Sequence, residues 1–362
     1  MSNQILDESL KTPLTELLGC KYPIVQTAMG WVADPALVAG TGNAGGFGFL
    51  AGATIPPAEM EADILKVKAL TDANFGVNFH MYQPNATDIV DLVIKHQIKA
   101  VSYSRSPGLE FVKKLKDNGV VCMPTIGLPK HAIKAIEMGA DVVTVQGGEG
   151  GGHTGSVPTS LLIPQVVDAA AGKIPVVAAG GFKDGRGLVA ALAWGASGIA
   201  MGTRFLMTKE SPVPSATKNH YVDCKNPSDI IISTAMDGLP QRMVMNKMLA
   251  NLERAGAAKK LVIALINGLK FRKFTGASIF DLLKSALAMS KSGEISPAQA
   301  IMSANAPMII QKAMVDGLPE EGVLPSGQVA GVIDELLSCE EIISGIMKEA
   351  EQRLNVLSAL LK

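Results

Sequence analysis

Short apolar runs alternate with amphipathic stretches over the first 205 residues of the chain. The apolar runs are typical of strands buried on both faces, and eight are predicted, at 22–27, 47–52, 75–80, 100–104, 120–126, 141–146, 175–181 and 198–203. Apolar residues at i, i+3 and i+4 predict helices between them, at 57–70, 87–96, 109–118, 130–138, 161–171 and 184–194. Eight strand–helix units of about 25 residues predict a TIM (β/α)8 barrel. The alternative is a doubly wound open sheet, which has fewer strands.

Beyond residue 205 the alternation ends. Pro212 and Pro214 interrupt the chain, and helical periodicity follows at 241–256, 259–269, 278–290 and 297–304 with no predicted strand between. This pattern predicts an all-helical lid over the barrel mouth, with residues 322–330 returning to the barrel and 338–361 forming a closing amphipathic helix. The domains predicted are the barrel at 1–205, the helical lid at 206–321 and a C-terminal segment at 322–362.

The stretch 141–155, DVVTVQGGEGGGHTG, stands out among the predicted strand ends. Catalytic and binding groups of a TIM barrel lie at the carboxyl ends of its strands. Here a buried strand runs into five glycines within 147–152, whose backbone can lie flat against a planar or phosphorylated ligand, and then into the titratable side chain of His153. The alternative is a mobile surface loop with a solvated histidine.

The ends of the seventh and eighth predicted strands carry a second signal. Barrels that bind phosphate commonly use the loops after these two strands, and Ala179-Gly180-Gly181 and Gly202-Thr203 supply small residues and a hydroxyl there. The alternative is tight packing of helix on strand. Because no G-x-G-x-x-G fingerprint runs directly from a predicted strand into a predicted helix, a cofactor with one terminal phosphate is favoured over a dinucleotide.

Composition excludes several classes of protein. Hydrophobic residues make up 48% of the chain, which fits buried strands, and the longest apolar stretch, 188–202, is broken by Gly195 and Gly198, so no membrane span is predicted. The polar, acidic first eleven residues do not resemble a signal peptide, which favours the cytoplasm. Equal numbers of basic and acidic residues, 33 each, argue against a nucleic-acid partner. The four cysteines lie too far apart for a metal cluster or a disulfide framework: Cys20, Cys122, Cys224 and Cys339. No metal site is predicted, and the cysteines are expected to be reduced.

One stretch departs from this neutral background. Residues 242–273 contain eight basic side chains and a single acid, Glu253. The simpler interpretation is that these basic side chains cover a solvent-exposed helix face. The functional one is a docking site on the lid for the phosphates of coenzyme A or for an acidic carrier protein. The candidate side chains are Lys259, Lys260, Arg272 and Lys273.

Five motifs in order along the chain are QTAMGWV, FGVNF, VQGGEGGGHTG, VVAAGGF and IAMGTRFL. Together they resemble the nitronate monooxygenase family, formerly called 2-nitropropane dioxygenases, which is related to the flavin-dependent enoyl-acyl carrier protein reductases. The resemblance covers nearly the whole chain and implies FMN in a TIM barrel. It implies that His153 is an acid or base on the substrate side of the flavin and that Trp31 contacts substrate. The implied cofactor-binding residues are Ala28, Met29, Gly30, Asn78, Gln146, Gly151, Gly152, Ala179, Gly180, Gly181, Gly202 and Thr203.

Within the family, the MGWVA turn, the MDGLP segment at 236–240 and the tail GVLPSGQVAGVIDELLSC resemble one branch. Its members act in bacterial breakdown of steroid C and D rings, where they oxidise or reduce a CoA thioester. The resemblance therefore implies a small-molecule acyl-CoA substrate, and a homodimer is also considered. Two alternatives stay open: oxidation of alkyl nitronates with molecular oxygen, for which a basic lid is irrelevant, and a non-catalytic barrel that binds a phosphate ligand. The position of His153 argues against the second.

Overall fold

Eight parallel strands close into a barrel. The computed structural model describes residues 10–55, 58–80, 83, 85–104, 108–256, 260, 262–269, 299, 302 and 305–361. The barrel strands, in the order in which they pair, are β1 (Ile24–Gln26), β2 (Phe47–Ala51), β3 (Gly76–His80), β4 (Ala100–Ser104), β5 (Val121–Ile126), β6 (Val143–Gln146), β8 (Val176–Ala179) and β9 (Gly198–Met201), and β9 pairs with β1. Every predicted strand is present, which confirms the TIM barrel and makes the open-sheet alternative wrong.

Helices separate the strands where the periodicity predicted them. In the helix after β3, the buried side chains of Ala86, Ile89, Val90 and Val93 follow the i, i+3, i+4 and i+7 spacing that lays one face on the sheet. The helices in this part of the chain are α1 (Pro13–Leu18), α2 (Pro35–Asn43), α3 (Met60–Leu70), α4 (Ala86–Lys95), α5 (Leu109–Asp117), α6 (Pro129–Glu137), α7 (Thr159–Ala170), α8 (Gly185–Ala193) and α9 (Thr203–Leu206).

The barrel interior is filled with side chains and closed at one end. Phe47 and Phe49 pack edge to face inside it, with ring centroids 5.1 Å apart. Leu14 and Leu18 of α1 are fully buried in the same cluster, and Thr12 just before this helix donates to the carbonyl of Ser197, which precedes β9. Helix α1 therefore plugs the amino-terminal ends of the strands and leaves the carboxyl ends for a site.

The segment after the barrel is not all-helical, so that prediction is wrong. Strands β10 (Ile230–Ser233), β11 (Gln241–Val244) and β12 (Leu324–Pro325) form an antiparallel sheet, which β7 (Gly152–His153) joins by pairing with β11. All four residues of β11 are buried between neighbouring strands, and this tertiary pairing overrides the helical periodicity assigned to 241–256. The helix there, α11, is restricted to Lys247–Arg254.

The remaining predictions for the chain beyond the barrel concern three helices and the segment 322–330. The described residues of 259–269 are helical. The segment 278–290 lies outside the described residues, as does 297–304 except for 299 and 302. Helices α10 (Ser215–Val222) and α12 (Asn305–Met314) complete the described lid. In the segment 322–330, which is predicted to return to the barrel, the Gly327 amide donates to Thr203 Oγ1 at 2.9 Å, and a 3₁₀ helix follows at Gln328–Val332. The domain boundaries at 205 and 321 stay predictions.

The closing helix, α13 (Cys339–Ala359), is present as predicted. Its first turn is stabilised by a capping box in which Ser338 and Glu341 bond each other's backbone amides. Glu349 of α13 accepts from the Gly185 amide at 2.9 Å, which ties the helix to the start of α8. Among the described residues, no helix is long and apolar enough to cross a membrane.

Candidate functional site

A cavity of about 430 Å³ opens at the carboxyl ends of the barrel strands. Its volume lies in the range of small-molecule sites, roughly 300–1,000 Å³. His153 and Trp31 line it, and so do all the residues predicted to hold a cofactor: Ala28, Met29, Gly30, Asn78, Gln146, Gly151, Gly152, Ala179, Gly180, Gly181, Gly202 and Thr203. The structure thus gathers residues from the ends of several barrel strands around one space.

The glycine loop, residues 147–152, is held in place by its surroundings. The carboxylate of Glu149 accepts from the backbone amide of Thr159 at 2.8 Å and from its hydroxyl, at the start of α7. The carbonyl of Gly148 accepts two bonds from the guanidinium of Arg242, at 2.7 and 3.1 Å. These bonds contradict the alternative of a mobile surface loop.

Glycine is required at the ends of β8 and β9 because the backbone approaches other groups closely. Gly180 and Gly181 have φ of +102° and +81°, and a Cβ on Gly180 would lie 3.0 Å from Thr159 Oγ1 and 3.2 Å from the Gly147 carbonyl. A Cβ on Gly202 would lie 3.0 Å from Thr27 Oγ1. The result is a cradle without side chains, beside the Thr203 hydroxyl, which accepts from Gly327 and can still donate. These residues fit a phosphate-bearing planar group.

Two polar side chains of the predicted cofactor site also bond the protein scaffold. The Asn78 amide donates to the carbonyl and hydroxyl of Ser102 at 3.1 and 3.0 Å. The Gln146 amide donates to the carbonyl of His153 at 2.9 Å and to that of Gly151 at 3.3 Å. Both side chains are therefore held in fixed orientations at the cavity edge, and Gln146 links the end of β6 to the chain leading into β7.

His153 lies on β7 with its side chain 57% exposed at the cavity. Its Nε2 is 2.8 Å from Asp237 Oδ2 and 3.0 Å from Gln241 Nε2. Asp237 is 2% exposed and also accepts from Gln241 Nε2 at 2.5 Å and from the Leu239 amide at 3.0 Å. An accessible imidazole backed by a buried carboxylate is an arrangement suited to proton transfer.

Sequence reasoning did not find Asp237 or Gln241. Both lie in or beside the MDGLP segment, which the sequence analysis used only as a mark of resemblance, and Asp237 is 84 residues from His153 along the chain. A titratable residue next to a glycine and a proline in an otherwise apolar segment was the available signal. A second imidazole, that of His80, also lines the cavity, with its Nδ1 3.2 Å from Ser104 Oγ.

Trp31 occupies a strained turn at another edge of the cavity. Its φ is +66°, a region that a bulky residue reaches at a cost of roughly 1–2 kcal/mol. Its backbone amide donates to Thr54 Oγ1 and its indole Nε1 to the Pro307 carbonyl, each at 3.1 Å. Beside it α12 contributes an apolar wall of Ala306, Pro307, Ile310 and Met314. The cavity therefore has a glycine wall and an apolar wall.

The predicted basic docking surface is described only in part. Lys259, Arg272 and Lys273 lie outside the described residues, whereas Lys260 is described and half-buried. Arg242 does not belong to an exposed surface: it is 8% exposed and bonds the carbonyls of Gly148 and Ile230. Burial lowers the pKa of its guanidinium, and Glu149 acts in the opposite direction. Arg242, one of the eight basic residues of this stretch, thus holds the glycine loop in place.

Comparison with known proteins identifies the family. The family described as nitronate monooxygenase matches residues 11–106 and 88–349, which together span most of the chain. The chain belongs to the nitronate monooxygenase family. Membership makes it an oxidoreductase, as predicted, and a flavin is the cofactor of this family.

Two known proteins are similar to the chain over nearly its whole length. A protein of Rhodococcus jostii (strain RHA1) named (3aS,4S,5R,7aS)-5-hydroxy-7a-methyl-1-oxo-octahydro-1H-indene-4-carboxyl-CoA dehydrogenase is 49% identical, over 97% of this chain and 99% of its own. A Mycobacterium tuberculosis (strain ATCC 25618 / H37Rv) protein of the same name is 47% identical, over 98% and 99%. The structure of FabK from Thermotoga maritima superimposes with a TM-score of 0.77 at 29% identity, over 97% of this chain and 100% of that chain.

Proposed function

We propose that this protein is an FMN-dependent oxidoreductase that dehydrogenates a CoA thioester carrying an alicyclic acyl group. The observation that carries the proposal is the accessible imidazole of His153, which lines the same cavity as a glycine cradle and an apolar wall and contacts the buried carboxylate of Asp237. The substrate class and the oxidative direction are supported by the two relatives named as carboxyl-CoA dehydrogenases, which match nearly the whole chain at 47–49% identity.

The residues that would hold FMN form two groups. Gly180, Gly181, Gly202 and Thr203 would surround the phosphate, since their backbone leaves room for it and Thr203 offers a hydroxyl donor. Met29, Asn78 and Gln146 would border the ring system. When bound, FMN supplies the capacity to accept a hydride.

The chain itself would supply proton transfer and substrate orientation. His153 would take the proton from the carbon beside the thioester carbonyl, a hydrogen that the carbonyl makes acidic, while Asp237 keeps the imidazole in place. The wall formed by Trp31 and by Ala306, Pro307, Ile310 and Met314 would hold the saturated rings away from water. Lys259, Lys260, Arg272 and Lys273 remain the candidate contacts for the phosphates of coenzyme A.

Cofactor analysis and paired substrates test this proposal. Cofactor released from the purified protein by heat should be FMN by mass; FAD would contradict the assignment. Under anaerobic conditions, a fused-ring carboxyl-CoA thioester should bleach the visible flavin band, whereas the free acid should not. Bleaching by neither the thioester nor related acyl-CoA compounds would reject the proposal.

Oxidation of alkyl nitronates is the competing function, because the family description itself names that activity. Oxygen uptake with an alkyl nitronate should be slow in comparison with turnover of the thioester. Faster turnover of the nitronate would make it the substrate. A barrel that only binds a phosphate ligand is disfavoured, since binding alone gives no reason to hold an exposed imidazole against a buried carboxylate.

A further inference from the structure

Asp237 lies in the turn between β10 and β11, buried although a carboxylate in an apolar interior is costly unless it is hydrogen-bonded. Three donors converge on it: the Leu239 amide reaches Oδ1, and Gln241 Nε2 and His153 Nε2 reach Oδ2. Because a carboxylate has only acceptor atoms, the 2.8 Å contact with Oδ2 requires His153 to present its Nε2 as an N–H donor. The Gln241 NH2 group, 3.0 Å from Nε2, then donates to Oδ2 and not to the ring. The lone pair of the neutral ring then resides on Nδ1.

The turn that carries Asp237 is itself fixed by the lid. Gly238 has a φ of +82°, and its carbonyl accepts from Gln299 Nε2 at 2.8 Å. The carbonyl of Met236 accepts from Asn305 Nδ2, at the first residue of α12. Across the sheet, Gln241 and His153 are direct partners in the pairing of β11 with β7. The position of the imidazole is thus fixed by the pairing of β7 with β11, and that of the carboxylate by the bonds of Gln299 and Asn305 to its turn.

We propose that Asp237 is a positioning residue that holds His153 in the Nε2–H tautomer, so that Nδ1 is the nitrogen that takes the substrate proton. This rests on the proposed function for the identity of the substrate. In the step, the carbon beside the thioester carbonyl gives its proton to Nδ1, and the bonding electron pair passes into the carbonyl. Asp237 stays a carboxylate throughout and faces the positive charge that develops on the ring.

The Asp237→Asn substitution is the sharpest test because it changes one oxygen into an NH2 group at constant shape. The Leu239 amide needs an oxygen opposite it, so the new NH2 group takes the Oδ2 position, where it can donate to His153 Nε2 once the Gln241 amide turns its oxygen toward it. The ring proton then moves to Nδ1, so this nitrogen can no longer accept the substrate proton. We expect turnover to fall by about 10²–10⁴-fold, as for removal of a general base, with KM changed little.

Nitrogen NMR of the ring gives a readout that does not depend on turnover. In protein labelled with ¹⁵N-histidine, the His153 signals, assigned by their loss in His153→Gln, should show Nε2–H in the parent and Nδ1–H in Asp237→Asn. The exchange of the substrate hydrogen beside the thioester carbonyl for deuterium from D₂O can be measured anaerobically without an added electron acceptor. In Asp237→Asn this exchange should slow together with turnover. Asp316→Asn, at a half-exposed acid on the lid, is the matched control and should behave like the parent.

The outcomes separate the two proposals. An Nδ1–H signal in the parent would overturn the positioning role even if Asp237→Asn failed to fold. Parent-like exchange in a folded Asp237→Asn protein that retains its flavin would also overturn it. A tautomer switch in a protein that acts on no thioester would support the role of Asp237 and reject the substrate instead.

Discussion

The two sides of the cavity are built in different ways. The barrel side consists of the strand ends at 179–181 and 202–203, whose spacing follows from a closed parallel sheet. The sheet side consists of His153, Asp237 and Gln241, which are brought together by antiparallel pairing of β7 with β11. The first side contributes backbone and space, and the second contributes titratable groups. Cofactor binding and proton transfer should therefore respond to different substitutions.

Replacing the imidazole should have the largest effect. His153→Ala should keep the flavin, because the glycine cradle is formed by backbone at the ends of β8 and β9, but should lower the turnover rate by about 10²–10⁴-fold. The measurements are flavin content and kcat on the thioester. His131→Ala, on the exposed surface of α6, is the control. Loss of flavin from His153→Ala would show that the two sides are not separable.

Reversing the charges of Lys259 and Lys260 should act on substrate binding alone. A charge-assisted bond to a phosphate contributes about 1.5–3 kcal/mol, so KM for the thioester should rise roughly 10-fold or more for each such bond removed. Turnover of an alkyl nitronate should not change, and the same design applies to Arg272 and Lys273 as a separate pair. Reversal of Lys130 and Lys134 on α6 serves as the control. Equal small effects on both substrates would remove the argument for docking of coenzyme A.

Adding one methyl group to the cradle should weaken the binding of the cofactor. Gly180→Ala places a Cβ 3.0 Å from Thr159 Oγ1 and 3.2 Å from the Gly147 carbonyl, so the start of α7 or the glycine loop must shift slightly. The affinity for FMN should then fall by about tenfold, from roughly 1–2 kcal/mol of strain. Gly172→Ala is a matched control, because Gly172 also has a positive φ, +70°, but a Cβ there would meet nothing within 4 Å. Titration of the apoprotein with FMN distinguishes them. Equal affinities would place the phosphate elsewhere.

A smaller effect is expected remote from both sides, at the start of α13. Hydrogen bonds lower the pKa of the Glu341 carboxyl group from 4.5 to about 2. The bond from Lys209 has the largest effect, and the bonds with Ser338 have smaller ones. Since the folded pKa lies below the unfolded one, the carboxylate stabilises the fold above about pH 4.5, and that contribution is lost as the pH falls toward 2. Glu341→Gln should lower the denaturation midpoint at pH 7, and the difference from the parent should narrow below pH 4.5. Glu340→Gln, the control, should differ less from the parent in its denaturation midpoint at pH 7. If the midpoint difference between Glu341→Gln and the parent did not change with pH, the lowered pKa of Glu341 would be contradicted.

Sequence patterns predicted the barrel side well and the sheet side poorly. Each barrel strand is a local apolar run, and a closed barrel then dictates that residues such as Asn78, Gln146 and Gly180 meet at one end. The sheet that carries His153 is assembled from strands of two to four residues, too short to give a period of their own. Gln241 was assigned to a helix because the apolar positions of α11 follow it directly.

The membership of β7 in the sheet has a consequence for the order in which the molecule assembles. The barrel ladder is complete once the chain has reached Met201, whereas His153 gains its strand partner only with Gln241, and β11 gains β12 only with Leu324. Domains form from the amino terminus as a chain leaves the ribosome. A nascent chain can therefore pair all eight barrel strands, and so place Gly180, Gly181 and Gly202, more than a hundred residues before β12 completes the antiparallel sheet that carries His153. The strand ends proposed to bind the cofactor are therefore in place before the pairing that positions the proposed base.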